Sequence, residues 1–148
     1  MSSAKTLPYE TTLLVRDRCL CLHVQRAARA LARRFDEELR PFELNNGQFS
    51  LLMSLNRPEP PTMGPVASLL AMDRTTLTAA LKPLERRGLV KIQPDPNDRR
   101  SRVLILTEKG RTLLARAIPV WQRTHEEIEN LVPSIDWDTL RNNLRSIS

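Results

Sequence analysis

The run Asp73-Arg-Thr-Thr-Leu-Thr-Ala-Ala-Leu-Lys-Pro-Leu-Glu-Arg-Arg-Gly-Leu-Val90 decides how this chain is read. Leu77, Leu81 and Leu84 recur at i, i+4 and i+7, a single stripe along an α-helix, and Asp73 offers a side-chain acceptor to the free amides of its first turn. Gly88 stands where a helix closes on a left-handed residue. Pro83 cannot donate an internal hydrogen bond and is expected to bend or end the helix a turn early. With the leucines turned inward, Arg74, Thr75, Thr76, Thr78, Ala79 and Lys82 occupy the outer face. Upstream, Thr62 is placed to cap a short helix with Pro65 in its first turn and Val66, Leu69 and Leu70 on its apolar side. About three residues separate the two helices, the spacing of a helix-turn-helix, whose second helix presents its exposed face to the DNA major groove.

On the downstream side, residues 89–93 and 102–106 alternate outward and inward, with Pro94-Asp95-Pro96-Asn97-Asp98 between them. This pattern predicts a β-hairpin with a long basic tip. There Asp98-Arg99-Arg100 would set one arginine along the minor groove and others on phosphates, with Asp98 orienting Arg100 by a charge-assisted hydrogen bond. Residues 74–102 hold eight cations against three acids, a surplus of five where the whole chain carries +6. Nearly all the net charge therefore sits on the helix and hairpin expected to meet DNA.

Further out, Leu13, Leu14, Leu20, Val24, Ala27, Ala28, Leu31 and Phe35 predict one long amphipathic helix after a loose end of about eight residues, stopped at Arg40-Pro41. The next helix begins at Asn45-Asn46 and carries Phe49, Leu52, Met53 and Asn56 on one face until Arg57-Pro58. Thr107 caps a helix running through Leu113, Leu114, Ile118, Trp121 and Ile128, which Pro119 is expected to kink and Pro133-Ser134 to interrupt. The final segment places Trp137, Leu140 and Leu144 on one helical face, which should dock on an apolar surface.

The 148 residues suffice for one domain or one closely joined pair, and Lys+Arg outnumber Asp+Glu by 23 to 17, pointing to a polyanionic partner. Only six residues are aromatic and none lies on the hairpin, which favours double-stranded DNA over stacking on single strands. The longest strictly apolar runs are about four residues and no secretory leader is visible, so no membrane span and a cytoplasmic location are expected. No Gly-rich phosphate loop, His-rich metal motif or nucleophile elbow occurs, so neither an enzyme nor a cofactor is expected. A winged helix used only for protein contacts is the rival class, but it would not need the local surplus of positive charge. Cys19-Leu-Cys-Leu-His23 is the one cluster of soft ligands. On a continuous helix Cys19 and His23 share a face while Cys21 points elsewhere, supplying at best two metal ligands, so no metal site is expected and the thiols should be reduced.

The run 73–90, then Asp95-Pro-Asn-Asp-Arg-Arg100, then Leu106-Thr-Glu-Lys-Gly110, resembles the MarR family of bacterial transcriptional regulators. The resemblance implies a mainly α fold: a winged helix-turn-helix with a small β-hairpin wing and N- and C-terminal dimerisation helices. It implies one MarR-type domain over residues 1–148, with a DNA-binding lobe at 45–107 and dimerisation helices at 9–40 and 108–148. It also implies a homodimer on a pseudo-palindromic operator, acting as a repressor released by a small molecule. Arg74, Thr75, Thr76, Thr78 and Lys82 match the recognition helix, and Asp98 and Arg100, with Arg99 between them, match the wing. The effector is expected to be small and aromatic or anionic. It would sit between dimer helices and DNA-binding lobe, with Cys19, Cys21, His23, Arg26 and Met53 as candidate residues. In an alternative, Cys21 is similar in position to the reactive cysteine of the family's organic-hydroperoxide sensors.

Overall fold

A computed structural model describes residues 6–148, so the start of the expected loose end lies outside the described residues. The chain divides into two compact units, one ending at Arg34 and the other Phe35–Ser148.

The first unit holds α1 (Tyr9–Arg18) and most of α2 (Leu20–Leu39). One continuous helix was expected here, but Cys19 is extended (φ −68°, ψ 107°) and separates the two. Its amide donates to Val15 O (2.9 Å), closing α1, and its Sγ accepts from the Leu22 amide (3.4 Å), opening α2. The apolar residues of α1, Leu13, Leu14 and Val15, are contiguous rather than spaced, so no buried stripe keeps the two helices in line. A local thiol acceptor then suffices to cap the second helix.

In the second unit, α2 ends on the buried Leu39. A 3-10 turn, Arg40–Phe42, follows with Pro41 near its start, and Glu43 adopts a left-handed backbone (φ 53°). Next comes α3 (Asn46–Ser54), opened by reciprocal capping: Asn45 Oδ1 accepts from the Gln48 amide (2.8 Å) and Gln48 Oε1 from the Asn45 amide (3.1 Å). It is followed by α4 (Met63–Leu70) and α5 (Arg74–Arg86), the helix-turn-helix. Val66 and Ala67 form the buried side of α4, while Leu69, expected inward, is 64% exposed. Thr62 holds the N-cap position without a side-chain cap bond. Its backbone instead bridges Val103, and Pro61 O accepts from the Leu104 amide (2.8 Å), adding a short third edge to the hairpin.

Leu77, Leu81 and Leu84 are all buried, as the stripe required. Pro83 does not end α5, because proline's fixed φ is helical and only one bond is forfeited. The helix closes with Gly88 (φ 72°): the Gly88 amide donates to Glu85 O (2.9 Å) and the Leu89 amide to Leu84 O (3.0 Å). The antiparallel strands β1 (Val90–Asp95) and β2 (Asp98–Leu106) pair from Val90 with Leu106 out to Asp95 with Asp98. The ladder is regular as far as Pro94 with Arg102 and then shifts to Asp95 with Asp98, so Arg99, Arg100 and Ser101 have no paired residue and the expected long tip is closed by a turn at Pro96 and Asn97. Asp95 Oδ1 accepts from the Asn97 amide (2.9 Å), and this side-chain turn lets pairing run past Pro94.

Thr107 Oγ1 accepts from the Gly110 amide (3.1 Å) and donates to Gly88 O (2.7 Å), so one hydroxyl starts α6 (Glu108–Leu131) and ties it to the end of α5. The Leu-Thr-x-x-Gly segment has a steric reason. A Cβ at Gly110 would lie 2.4 Å from Leu89 O and 2.8 Å from Leu106 Cδ1. α6 continues through Pro119 to Leu131. The last helix, α7 (Trp137–Ser146), buries no residue. It is pinned to α6 by Trp137 Nε1 donating to Glu129 O (3.2 Å) and by Arg141 against Glu129. Of the face expected to dock, Trp137 and Leu140 are half-buried and Leu144 stays 40% exposed, so among the described residues the docking is only partly made. Among the described residues no helix is long and apolar enough to cross a membrane.

Because the backbone of Leu89 cannot retreat without breaking the close of α5, Gly110→Ala should destabilise the fold by about 1–3 kcal/mol. The shift in the urea unfolding midpoint measures this, and an unchanged midpoint would show that the contact relaxes freely.

Candidate nucleic-acid interface

Arg74, Thr75, Thr76, Thr78, Ala79 and Lys82 are exposed along the outer side of α5, opposite the three buried leucines. Asp73 Oδ1 accepts from the Thr76 amide (2.7 Å) and fixes the first turn. That amide above all, then the Thr76 side chain and the Thr75 amide, hold the Asp73 carboxyl below its ordinary 3.8 against a small opposing effect of desolvation. Thr78 Oγ1 donates to Arg74 O (2.8 Å), so its hydroxyl hydrogen is committed and it offers outward a methyl group and an acceptor. The Arg74 guanidinium lies along the start of α4, with Nη2 3.7 Å from where a Gly64 Cβ would stand.

On the hairpin, Asp98, Arg99 and Arg100 are exposed and belong to β2. The register shifts between Pro94 paired with Arg102 and Asp95 paired with Asp98, so Arg99 and Arg100 lie in a bulged stretch of β2 with no paired residue opposite. The expected Asp98 to Arg100 link exists in a different form: Asp98 Oδ1 accepts from the Arg100 backbone amide (3.0 Å), not from the guanidinium. In a tight turn the amide two residues on is the nearest donor, so the aspartate shapes the backbone and leaves the arginine head free to reach outward. Among the described residues no carboxylate comes within ion-pair distance of Arg74, Lys82, Arg99 or Arg100. Charges elsewhere do pair, as Arg123 with Glu38 (3.7 Å) and Arg111 with Glu108 (3.9 Å).

The expected effector residues fall in both units. In the first, Cys19 is the helix break, so it does not share a helical face with His23. Instead Cys19 O accepts from His23 Nδ1 (2.7 Å). Cys21 is exposed and its Sγ accepts from the neutral Gln25 amide (3.2 Å), while His23 and Arg26 are also exposed. In the second, Met53 lines an apolar cleft of about 440 Å³ with Phe49, Leu69, Ile118 and Trp121. The Phe49 and Trp121 rings stack, centroids 6.1 Å apart and planes 15° from parallel. Among the described residues no three His, Cys, Asp or Glu gather as metal ligands. Arg87 is one of the eight cations of residues 74–102, but its Nη1 donates to Glu43 O (2.6 Å), a partner 44 residues away that no local pattern signals.

A basic helix seated in a helix-turn-helix beside a two-stranded wing defines a winged helix-turn-helix DNA-binding protein. The MarR family profile matches residues 44–101. The transcriptional repressor NicR of Pseudomonas putida is 33% identical over 84 residues, 57% of this chain and 53% of that protein, so the match spans about half of NicR. The transcriptional repressor MprA of Escherichia coli is 28% identical over 148 residues, 99% of this chain and 81% of that protein. The crystal structure of the Mycobacterium tuberculosis transcriptional regulator MosR in complex with DNA superposes with a TM-score of 0.77 at 34% identity, covering 88% of this chain and 93% of that one. The chain belongs to the MarR family of transcriptional regulators.

A depressed carboxyl pKa stabilises the folded state above the unfolded value and loses that contribution as pH falls through the folded one. Asp73→Asn keeps a capping side chain but removes the titration, so it should flatten the acid limb of thermal stability below about pH 5 while leaving neutral stability nearly unchanged. Melting temperatures across that range decide it, and parallel acid limbs for parent and variant would refute the cap's ionic contribution.

Proposed function

We propose that two copies of this chain bind a pseudo-palindromic operator in double-stranded DNA and repress transcription until a small molecule releases them. The carrying observation is the α5 face of Arg74, Thr75, Thr76, Thr78 and Lys82 together with Arg99 and Arg100 of the wing, exposed cations with no carboxylate partner. Unpaired cations gain most from phosphates, because each contact releases condensed counterions. Short threonine side chains suit base edges in the major groove, and an arginine on a narrow hairpin suits the minor groove. The DNA complex of MosR, a relative of similar fold, supports the same use of the lobe at 45–107.

A single recognition helix touches too few bases for useful specificity, so the reading requires a two-fold partner with half-sites about one helical turn apart. Unpartnered apolar residues in both terminal regions support dimerisation through 9–40 and 108–148. Leu14, Val15, Leu20 and Leu31 are exposed in the first, and Leu131, Ile135 and Ile147 in the second. The cleft containing Met53 supports release by a small apolar or aromatic molecule, since no charged side chain lines it.

On this reading the logarithm of the duplex binding constant falls with log[salt] at about −0.9 per phosphate contact. Arg99→Ala and Arg100→Ala each lose operator binding while keeping the parent's circular dichroism and melting temperature. Fluorescence anisotropy with duplexes selected by the protein from random sequence tests both points. Parental affinity in both variants would remove the wing from the interface.

A further inference from the structure

A cleft of about 660 Å³ opens beside the C-terminal end of α5, between the 3-10 turn Arg40–Phe42 and the start of α6. Three cations line it, and each is turned onto the protein itself. Arg87 donates from Nη1 to Glu43 O (2.6 Å) and from Nη2 to Phe42 O (3.4 Å), with Nη2 3.8 Å from the Glu43 carboxylate. Lys109 Nζ donates to Arg87 O (2.8 Å), and the Arg116 guanidinium lies 5.8 Å from the centre of the Phe42 ring. Arg87 directly follows α5 and opens the three-residue turn, residues 87–89, that leads to the wing. Its side chain grips the 3-10 turn that precedes α3, and its carbonyl is gripped from α6. One residue therefore joins the segment before the helix-turn-helix, the end of the helix that reads DNA, and the helix after the wing.

The backbone at the far end of this grip is unusual. Glu43 holds a left-handed conformation (φ 53°) without being glycine, and in it its carbonyl meets the guanidinium. A fork donating to two consecutive carbonyls fixes direction as well as distance, which the point charge of a lysine does not. Together with the Gly88 closure and the Thr107 hydroxyl on Gly88 O, the C-terminal end of α5 is held from three sides. The outer residues of α5 are displaced along the groove when that end moves, so base contacts depend on this anchoring far more than phosphate contacts do.

We propose that Arg87 is a positioning residue for operator recognition, setting the attitude of α5 through the Phe42 and Glu43 carbonyls, and not one of the cations that contact phosphate. The proposal rests on the reading that α5 enters the major groove. Its test uses the full-length protein, a duplex enriched by the parent from random sequence, and a scrambled duplex of equal length, with affinities measured over a salt series for the parent, Arg87→Lys, Arg87→Gln and Glu43→Gln. Arg87→Lys keeps the charge and Arg87→Gln does not, yet both lose the fork. Each should bind the selected duplex about tenfold more weakly, bind the scrambled duplex as the parent does, and keep the parental salt slope. Glu43→Gln retains both carbonyls and should behave as the parent.

If Arg87 contacts phosphate, Arg87→Lys remains close to parental and Arg87→Gln shallows the salt slope by about one, which overturns the proposal. If selected and scrambled duplexes weaken in parallel with a fall in melting temperature, Arg87 is merely structural and the proposal again fails. A parent that enriches no duplex at all would defeat the DNA-binding reading itself, and this inference with it.

Discussion

Burial of Leu77, Leu81 and Leu84 is the constraint on which the other features rest. The three side chains are no more than 1% exposed, and full burial of a leucine stabilises a fold by about 1.5–3 kcal/mol. Together they amount to a large part of the net stability of a domain this size, which is about 5–15 kcal/mol. Rotating α5 about its axis would forfeit that contribution. Its outer face therefore carries Arg74, Thr75, Thr76, Thr78 and Lys82 as a consequence of packing, with no separate device needed to turn them outward. Asp73 closes one end of the helix and Gly88 the other, so the length of the presented face is set as firmly as its direction.

The steric fit between Leu89 and Gly110 extends the same constraint into the wing. Leu89 is buried, its amide closes α5, and its carbonyl accepts from the Thr107 amide (3.1 Å) while lying against the one residue of α6 that has no Cβ. The end of α5, the root of the hairpin and the first turn of α6 thus share a few atoms. Arg123, Arg111 and Arg141 pair with carboxylates, whereas among the described residues the cations on the outer α5 face and on β2 do not. An exposed surface ion pair contributes little to stability, so the unpaired cations of α5 and β2 bear on what the protein binds more than on how it folds.

Periodicity was enough to find α3, α4, α5, both strands, α6 and α7, because each has a stripe or alternation, and most of the helices add a cap that is recognisable in the sequence. Asn45, Asp73 and Thr107 stand at helix starts and accept amides as expected, and Asp136 does the same for α7. Where the reading of the residues departed from the structure, a local hydrogen bond or a distant partner decided the matter. Cys19 breaks the first helix because its thiol supplies a cap that residue preferences do not advertise. The hairpin tip closes on itself beyond Pro94 because Asp95 accepts from the Asn97 amide and pairs with Asp98 across a shift of register. Asp98 bonds the Arg100 amide because that donor is nearer than the guanidinium.

By itself the sequence determined the element types, the inward leucines, the outward threonines and arginines of α5, and the concentration of positive charge on residues 74–102, since all of these follow from spacing along one chain segment. Tertiary structure alone decided which of those cations stay free. Arg87 looks like its neighbours in sequence, but the carbonyls that claim it belong to Phe42 and Glu43, more than forty residues earlier, and they reach it only once the chain has folded back to place the 3-10 turn beside the end of α5.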